Sequence, residues 1–124
     1  MNAFADLLVG LVALEHAGFL ILEMFFWRRP LGLKVFHLTQ AAADSSAALA
    51  ANQGLYNGFL AAGLAWGLLS RRATAAPVET FFLCCALVAG IFGGATVGRG
   101  IFLVQAFPAA LSLAAVWLSR RRAP

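Results

Sequence analysis

Residues 4–27 read FADLLVGLVALEHAGFLILEMFFW and are followed by Arg28-Arg29-Pro30. The run is slightly longer than the roughly 20 residues that a helix needs to cross the hydrocarbon core of a bilayer. Strands that cross membranes are shorter and alternate between polar and apolar residues, and this run does not alternate. The segment therefore predicts a membrane-spanning α-helix, with Arg28 and Arg29 anchored among the lipid headgroups.

Three further apolar segments follow, at residues 46–69, 78–97 and 101–118. Asp44 or Ser45 is the expected N-cap of the second helix, because a short polar side chain can accept a hydrogen bond from the first turn. Pro77 suits the first turn of the third helix, and Pro108 is expected to kink the fourth. The sequence thus predicts an all-α fold, a polytopic bundle of four transmembrane helices in a single domain, residues 1–124.

The composition excludes an ordinary soluble domain. Apolar residues make up 62% of the chain and charged residues only 11%, whereas typical soluble domains are about 25% charged. A soluble chain of 124 residues has too much surface for so few charges to cover. The net charge is +4, but the basic residues flank the apolar runs. We therefore expect membrane lipids as partners and no nucleic acid.

The basic residues also predict how the chain is oriented in the membrane. With four spans, both termini and the second connection share one side of the membrane. That side holds Arg71, Arg72, Arg120, Arg121 and Arg122, and the other holds Arg28, Arg29, Lys34 and Arg99. This small excess predicts a multi-pass protein of the cell membrane with cytoplasmic termini, and the near-balance of the two sides leaves a dual topology open. The connection at residues 31–43 mixes apolar and basic residues, which is typical of a stretch that lies along the interface.

Small residues recur at a spacing of four on the second and third helices. The positions are Gly54, Gly58 and Ala62, then Gly63 and Gly67, and on the third helix Gly90, Gly94 and Gly98. Helices in lipid associate through close backbone approach and hydrogen bonds, since lipid tails are as apolar as leucine. The glycine faces predict tight helix packing and are candidate surfaces for a homo-oligomer.

Three ionisable residues lie within the first helix: Glu15, His16 and Glu23. Ionisable groups inside a membrane are costly, so such groups indicate a functional site. At about 100° per residue, His16 and Glu23 lie within roughly 20° of each other on the helix. These three residues are the candidates for acid and base catalysis. Glu79 lies nearer the end of its segment and is expected to be solvated or paired with a basic group.

The candidate ligand-binding residues are the polar ones of the other helices: Asn52, Gln53, Tyr56, Asn57, Arg99 and Gln105. At about 1.5 Å per residue, the polar groups of helices one, two and four fall in the same half of the bilayer. The opposite half is almost purely apolar. Arg99 is expected to pair with Glu23 if its guanidinium reaches inward. Alternatively, each amide side chain only forms a hydrogen bond between two helices, which contributes on the order of 1 kcal/mol.

The residues also resemble a known family. Leu14-Glu15-His16, Leu22-Glu23-Met24-Phe25 and the string NQGLYNGFLA at residues 52–61 are similar to domain of unknown function 1304, a group of small bacterial membrane proteins of about this length. The resemblance implies a four-helix membrane fold and supplies no activity. Small multidrug transporters also carry a glutamate midway along the first of four short helices, but the polar second helix is foreign to them.

Three functions are compatible with the sequence. The first is a site that binds a small lipid-like or apolar molecule and carries out acid/base chemistry of the isomerase or cyclase type. That chemistry needs no cofactor, and we expect neither a cofactor nor a metal, because the adjacent Cys84 and Cys85 lack a metal-ligand spacing. The second is a small proton-coupled transporter of apolar or cationic compounds. The third is a structural membrane subunit whose polar layer holds the helices together.

Overall fold

The computed structural model describes residues 3–121, apart from the side chains of Arg72, Arg120 and Arg121. Within this range the chain forms no strand and has five α-helices: α1 (Ala3–Ile21), α2 (Pro30–Phe36), α3 (Gln40–Leu69), α4 (Arg72–Thr96) and α5 (Phe107–Arg121). A first π-helical turn, Leu22–Phe26, continues α1, and a second, Phe102–Ala106, precedes α5. The expected all-α class is confirmed.

Long apolar helices dominate the described range 3–121. Three stretches there are long and apolar enough to cross a membrane: Ala3–Phe26, Ala73–Thr96 and Phe102–Ser119. In the most apolar window of the first, only 17% of the residues are buried inside the chain. Exposed apolar surface of this extent suits a lipid environment and not water. These helices indicate a membrane protein. Of the arginines used to predict its orientation, Arg122 and the side chains of Arg72, Arg120 and Arg121 lie outside the described part.

Helix α3 is the longest element, at 30 residues, and it begins earlier than the predicted residue 46. Thr39 is its N-cap in place of Asp44 or Ser45, because the Thr39 Oγ1 atom accepts a hydrogen bond from the backbone N–H of Ala42 at 3.2 Å. The alanine-rich stretch that follows has high helix propensity and extends the helix without interruption. The helix therefore begins six residues before the predicted start.

The connection between α1 and α3 contains α2. Its fold is stabilised by a contact between the rings of Trp27 and Phe36, whose centroids are 4.7 Å apart. The helix ends at Phe36 and is capped by His37, which adopts a left-handed conformation with φ of 54°. The expected amphipathic stretch is therefore a short helix closed by a sharp turn.

Pro77 and Pro108 lie within helical segments, at positions that differ in their surroundings. Pro77 is the sixth residue of α4 and not part of its first turn, because α4 begins at Arg72. Pro108 follows the second π-helical turn, in which the Phe107 N–H bonds to the Phe102 carbonyl five residues back. Proline has no N–H and its ring clashes with the carbonyl four residues earlier. We attribute the widened turn before Pro108 to relief of that clash.

The long helices pack in a closed ring, in which α1 contacts α3, α3 contacts α4, α4 contacts α5 and α5 contacts α1. The glycine positions lie at these contacts. A side chain at Gly54 would meet Met24, one at Gly67 would meet Glu79, and one at Gly90 would meet the Ala106 backbone. Gly54, Gly67 and Gly90 are thus occupied by contacts within one chain, whereas Ala62 and Gly98 of the predicted glycine faces are exposed.

Candidate functional site

Glu23 and Asn57 form the contact around which the candidate site is built. The Asn57 Nδ2 atom donates a hydrogen bond to Glu23 Oε2 at 2.7 Å, and it links the first π-helical turn to α3. Asn57 is buried and Glu23 is partly buried. Gly54 allows the close approach, because a Cβ atom there would lie 3.1 Å from the Glu23 Cβ atom. Sequence reasoning named both residues, and the structure brings them together.

Glu23 belongs to the first π-helical turn, which has no buried residue of its own. A π-helical turn is rare in soluble proteins and frequent at functional sites, since it widens the helix and redirects one side chain. The chain leaves the helix directly afterwards, and Arg29 has extended backbone at the start of α2. This local geometry places Glu23, Arg28 and Arg29 around one space.

That space is a cavity of about 360 Å³ between the first π-helical turn and α3. Its volume falls in the range of about 300–1,000 Å³ that is typical of small-molecule sites. One wall is fixed by a hydrogen bond from Trp27 Nε1 to Ser46 Oγ at 3.1 Å. The lining residues are Glu23, Met24, Phe25, Trp27, Arg28, Arg29, Ala47, Ala48 and Ala51.

The charges of the cavity are of both signs. Glu23 supplies a carboxyl group, and Arg28 and Arg29 supply two guanidinium groups that are exposed at the end of the span. Guanidinium groups recognise phosphate and carboxylate through paired hydrogen bonds. A carboxyl group held by an amide can bind an ammonium or hydroxyl group. The arrangement therefore suits a ligand whose polar head has an anionic part and a hydrogen-bond donor.

Gln105 takes a different place from the one expected. It lies in the second π-helical turn, and its Nε2 atom donates to the Ala86 carbonyl of α4 at 3.3 Å. The bond stabilises the contact between α4 and the widened turn. Gln105 does not line the cavity at Glu23.

Several other predicted site residues lie outside the cavity. Asn52, Gln53 and Tyr56 are exposed on the outer face of α3, and Tyr56 contacts the Phe59 ring. Arg99 is exposed in the turn before the second π-helical turn, and it does not form the expected pair with Glu23. The side chain that bonds to Glu23 is the amide of Asn57.

The two other acid/base candidates are separated from Glu23. His16 lies two helical turns earlier, a distance of about 10 Å along the axis. It is fully buried, and Glu15 is partly buried beside it. Neither lines the cavity. Glu23 is thus the one carboxyl group among the three candidates that this cavity presents to a ligand.

Sequence reasoning missed two buried polar residues, Glu79 and Ser112, neither of which is exposed at all. Glu79 was expected near the interface, yet it packs against α3 at Gly67, where a Cβ atom would be 2.5 Å from the Glu79 Cγ atom. Gly67 could have indicated the burial of Glu79, because it is a small residue at the same level on the neighbouring helix. For Ser112 the sequence offered no signal, since a serine in an apolar helix commonly bonds to its own backbone.

The family model described as "Protein of unknown function (DUF1304)" matches residues 10–117. The chain belongs to this family. The DUF1304 match covers most of the chain and includes Glu23, Asn57 and all the cavity-lining residues. It confirms the resemblance seen in the sequence. Searches of the curated proteins and of the solved structures gave no match.

Proposed function

We propose that α3 is a fourth membrane span and that the protein crosses the membrane four times. At 30 residues α3 is long enough, and it packs between α1 and α4 along much of its length. Its lower hydropathy comes from residues 52–57, where the Asn57 amide donates a hydrogen bond to Glu23. Its glycine contacts with α1 and α4, both candidate spans, support a position between them in the bilayer. The termini then lie on one side, which we propose is the cytoplasm.

This topology predicts from which side of the membrane a reagent can reach each loop. Single cysteines at Lys34, Ala73 and Arg99, all exposed, are introduced into a variant in which Cys84 and Cys85 are alanine. A membrane-impermeant maleimide is expected to label Lys34→Cys and Arg99→Cys from one side of intact vesicles. It should label Ala73→Cys only from the other side. Labelling of Lys34→Cys and Ala73→Cys from the same side would show that α3 does not cross.

We infer that the function is to bind an amphiphile with a zwitterionic head. The supporting observation is the carboxyl group of Glu23, held by Asn57 at the wall of a cavity that Arg28 and Arg29 also line. The anionic part of the head would bind the two guanidinium groups, and an ammonium or hydroxyl group would bind Glu23. The apolar tail would leave the cavity along the exposed faces of α1 and α3, where lipid chains lie.

The same carboxyl group also supports a catalytic proposal. A carboxyl group in contact with a bound ligand can remove a proton from one position and return it at another, which is isomerisation or cyclisation without a cofactor. In that reaction Glu23 would transfer the proton and Asn57 would hold the carboxyl in place. His16 is too far along α1 to act on the same ligand atom.

Transport is the less favoured alternative because of the packing beyond the cavity. Val9, Val12, Leu64, Leu83 and Val116 form a continuous apolar cluster, each at most 1% exposed. A transporter has to open such a layer to reach the opposite side. This packed cluster supports a binding site that is reached from one side.

The proposed site can be tested by filling it. Ala51 lines the cavity, so Ala51→Phe should occupy its volume and exclude a ligand. Native mass spectrometry of protein extracted in lipid nanodiscs is expected to show a bound amphiphile on the unaltered protein and its loss from Ala51→Phe. Ala89→Phe, at an exposed position of α4, is the matched control and should retain it. Equal retention by both variants would refute the site.

A further inference from the structure

A second polar site is indicated by His16, whose ring is completely buried in α1. Its Nδ1 atom lies 2.9 Å from the Val12 carbonyl oxygen. A carbonyl oxygen only accepts hydrogen bonds, so Nδ1 carries the proton. In the neutral ring Nε2 is then an acceptor. No group within residues 3–121 donates a hydrogen bond to this buried Nε2 atom.

Ser112 of α5 supplies the complementary group. It is also fully buried, and its Oγ atom has no hydrogen-bond partner among the described residues. Other serines of the chain, such as Ser70 and Ser119, donate to a carbonyl of their own helix. The Ser112 hydroxyl does not, and it remains available as a donor toward the interior.

The packing of α1 against α5 places these two residues at one level. Val12 and Val116 belong to the same core cluster, and Ala13 and Ala115 both pack against it. The helices run in opposite directions. His16 lies one turn after Val12, and Ser112 lies one turn before Val116. His16 and Ser112 are therefore both displaced from the two valines toward the same end of the structure, the turn at residues 97–100. One turn of helix also keeps each side chain on the inward face of its helix.

We propose that His16 and Ser112 form a binding site for one hydroxyl group, separate from the cavity at Glu23. The bound oxygen donates its hydrogen to His16 Nε2 and accepts the hydrogen of Ser112 Oγ. Both buried polar atoms are thereby satisfied, as buried groups generally are. The hydroxyl belongs to a water molecule or to a small alcohol. Since the proposal rests on α1 and α5, it does not depend on what binds at Glu23.

Nitrogen NMR of His16 tests this site. Protein without a histidine tag, carrying His37→Asn and labelled with ¹⁵N-histidine, gives signals from His16 alone. The expected spectrum is that of a neutral ring with the proton on Nδ1. The Nε2 resonance should be displaced by an accepted hydrogen bond and should receive magnetisation from a hydroxyl proton that belongs to no protein side chain.

Three variants supply the controls. Ser112→Ala should shift the Nε2 resonance and remove the magnetisation transfer, and Ser112→Thr should restore both because it keeps the hydroxyl. Ser119→Ala removes a serine that bonds to its own helix and should change neither. An Nε2 atom without a hydrogen bond, or no response to Ser112→Ala, would overturn the proposal. Transfer from the hydroxyl proton of Ser112 itself would also overturn it.

The same sample distinguishes the two sources of the hydroxyl. If water is bound, the transfer survives removal of lipids and other extractable molecules. If an alcohol is bound, extraction with organic solvent abolishes the transfer and releases a small molecule detectable by mass spectrometry. Either result supports a hydroxyl site.

Discussion

Glu23→Gln is expected to weaken binding of a zwitterionic amphiphile by about 10- to 100-fold. A hydrogen bond to a charged group contributes about 1.5–3 kcal/mol, and this substitution removes the charge. The fold should be retained, because the carbonyl of glutamine can still accept the hydrogen bond from Asn57. Binding is measured by titrating lysophosphatidylethanolamine, whose ammonium group would contact Glu23, into protein in nanodiscs.

Two comparisons isolate the role of the Glu23 carboxyl group. Lysophosphatidic acid has the phosphate but no ammonium group, so its affinity should change little in Glu23→Gln. Glu15→Gln alters a carboxyl group on the same membrane span that does not line the cavity, and it should bind both probes normally. If Glu15→Gln and Glu23→Gln reduced binding equally, the effect would be general and the assignment to Glu23 would be wrong.

Gly90→Ala is expected to destabilise the protein by about 2 kcal/mol, within the range for overpacked cores. An added Cβ atom would lie 2.6 Å from the Ala106 backbone nitrogen and 2.9 Å from the Ala106 Cα atom. Backbone atoms cannot move aside as a flexible side chain can, so α4 and the second π-helical turn must separate. The free energy of unfolding is measured by titrating a denaturing detergent into protein in mild detergent micelles.

Gly18→Ala is the matched control for this packing prediction. Nothing lies within 4 Å of a Cβ atom at Gly18, which is also inside a long apolar helix. Replacing a helical glycine with alanine at an open position gains up to about 1 kcal/mol of helix propensity. The two substitutions should therefore have opposite signs. A loss of stability in both would mean that glycine flexibility, and not helix contact, determines the effect.

The fold was largely predictable because apolar length is a strong signal. The helical class and three apolar spans follow from the positions of long runs between arginines and prolines. The start of α3 was not predictable to the same degree, since Thr39, Asp44 and Ser45 are all competent caps and alanines follow each of them. Depths counted from residue 46 therefore could not identify which polar residue of α3 contacts Glu23.

The sequence identified residues of the site, but it did not predict how they are arranged. Helical periodicity identified Glu23 and Asn57, and the structure places them in contact. The same periodicity put His16 on the face of Glu23, but an ideal helix does not include the first π-helical turn, which changes the direction of Glu23. Arg28 and Arg29 looked like simple headgroup anchors, and only the turn into α2 shows that they line the same cavity.

Photoaffinity labelling tests most directly whether amphiphiles bind beside Glu23. The probe is lysophosphatidylethanolamine with a diazirine on the first carbons of its acyl chain, and the labelled peptides are mapped by mass spectrometry. We expect modification concentrated at residues 23–29 and 47–51, displaced by unlabelled probe and absent in Ala51→Phe. Labels spread evenly over the exposed faces of the apolar helices, unaffected by Ala51→Phe, would contradict the binding site.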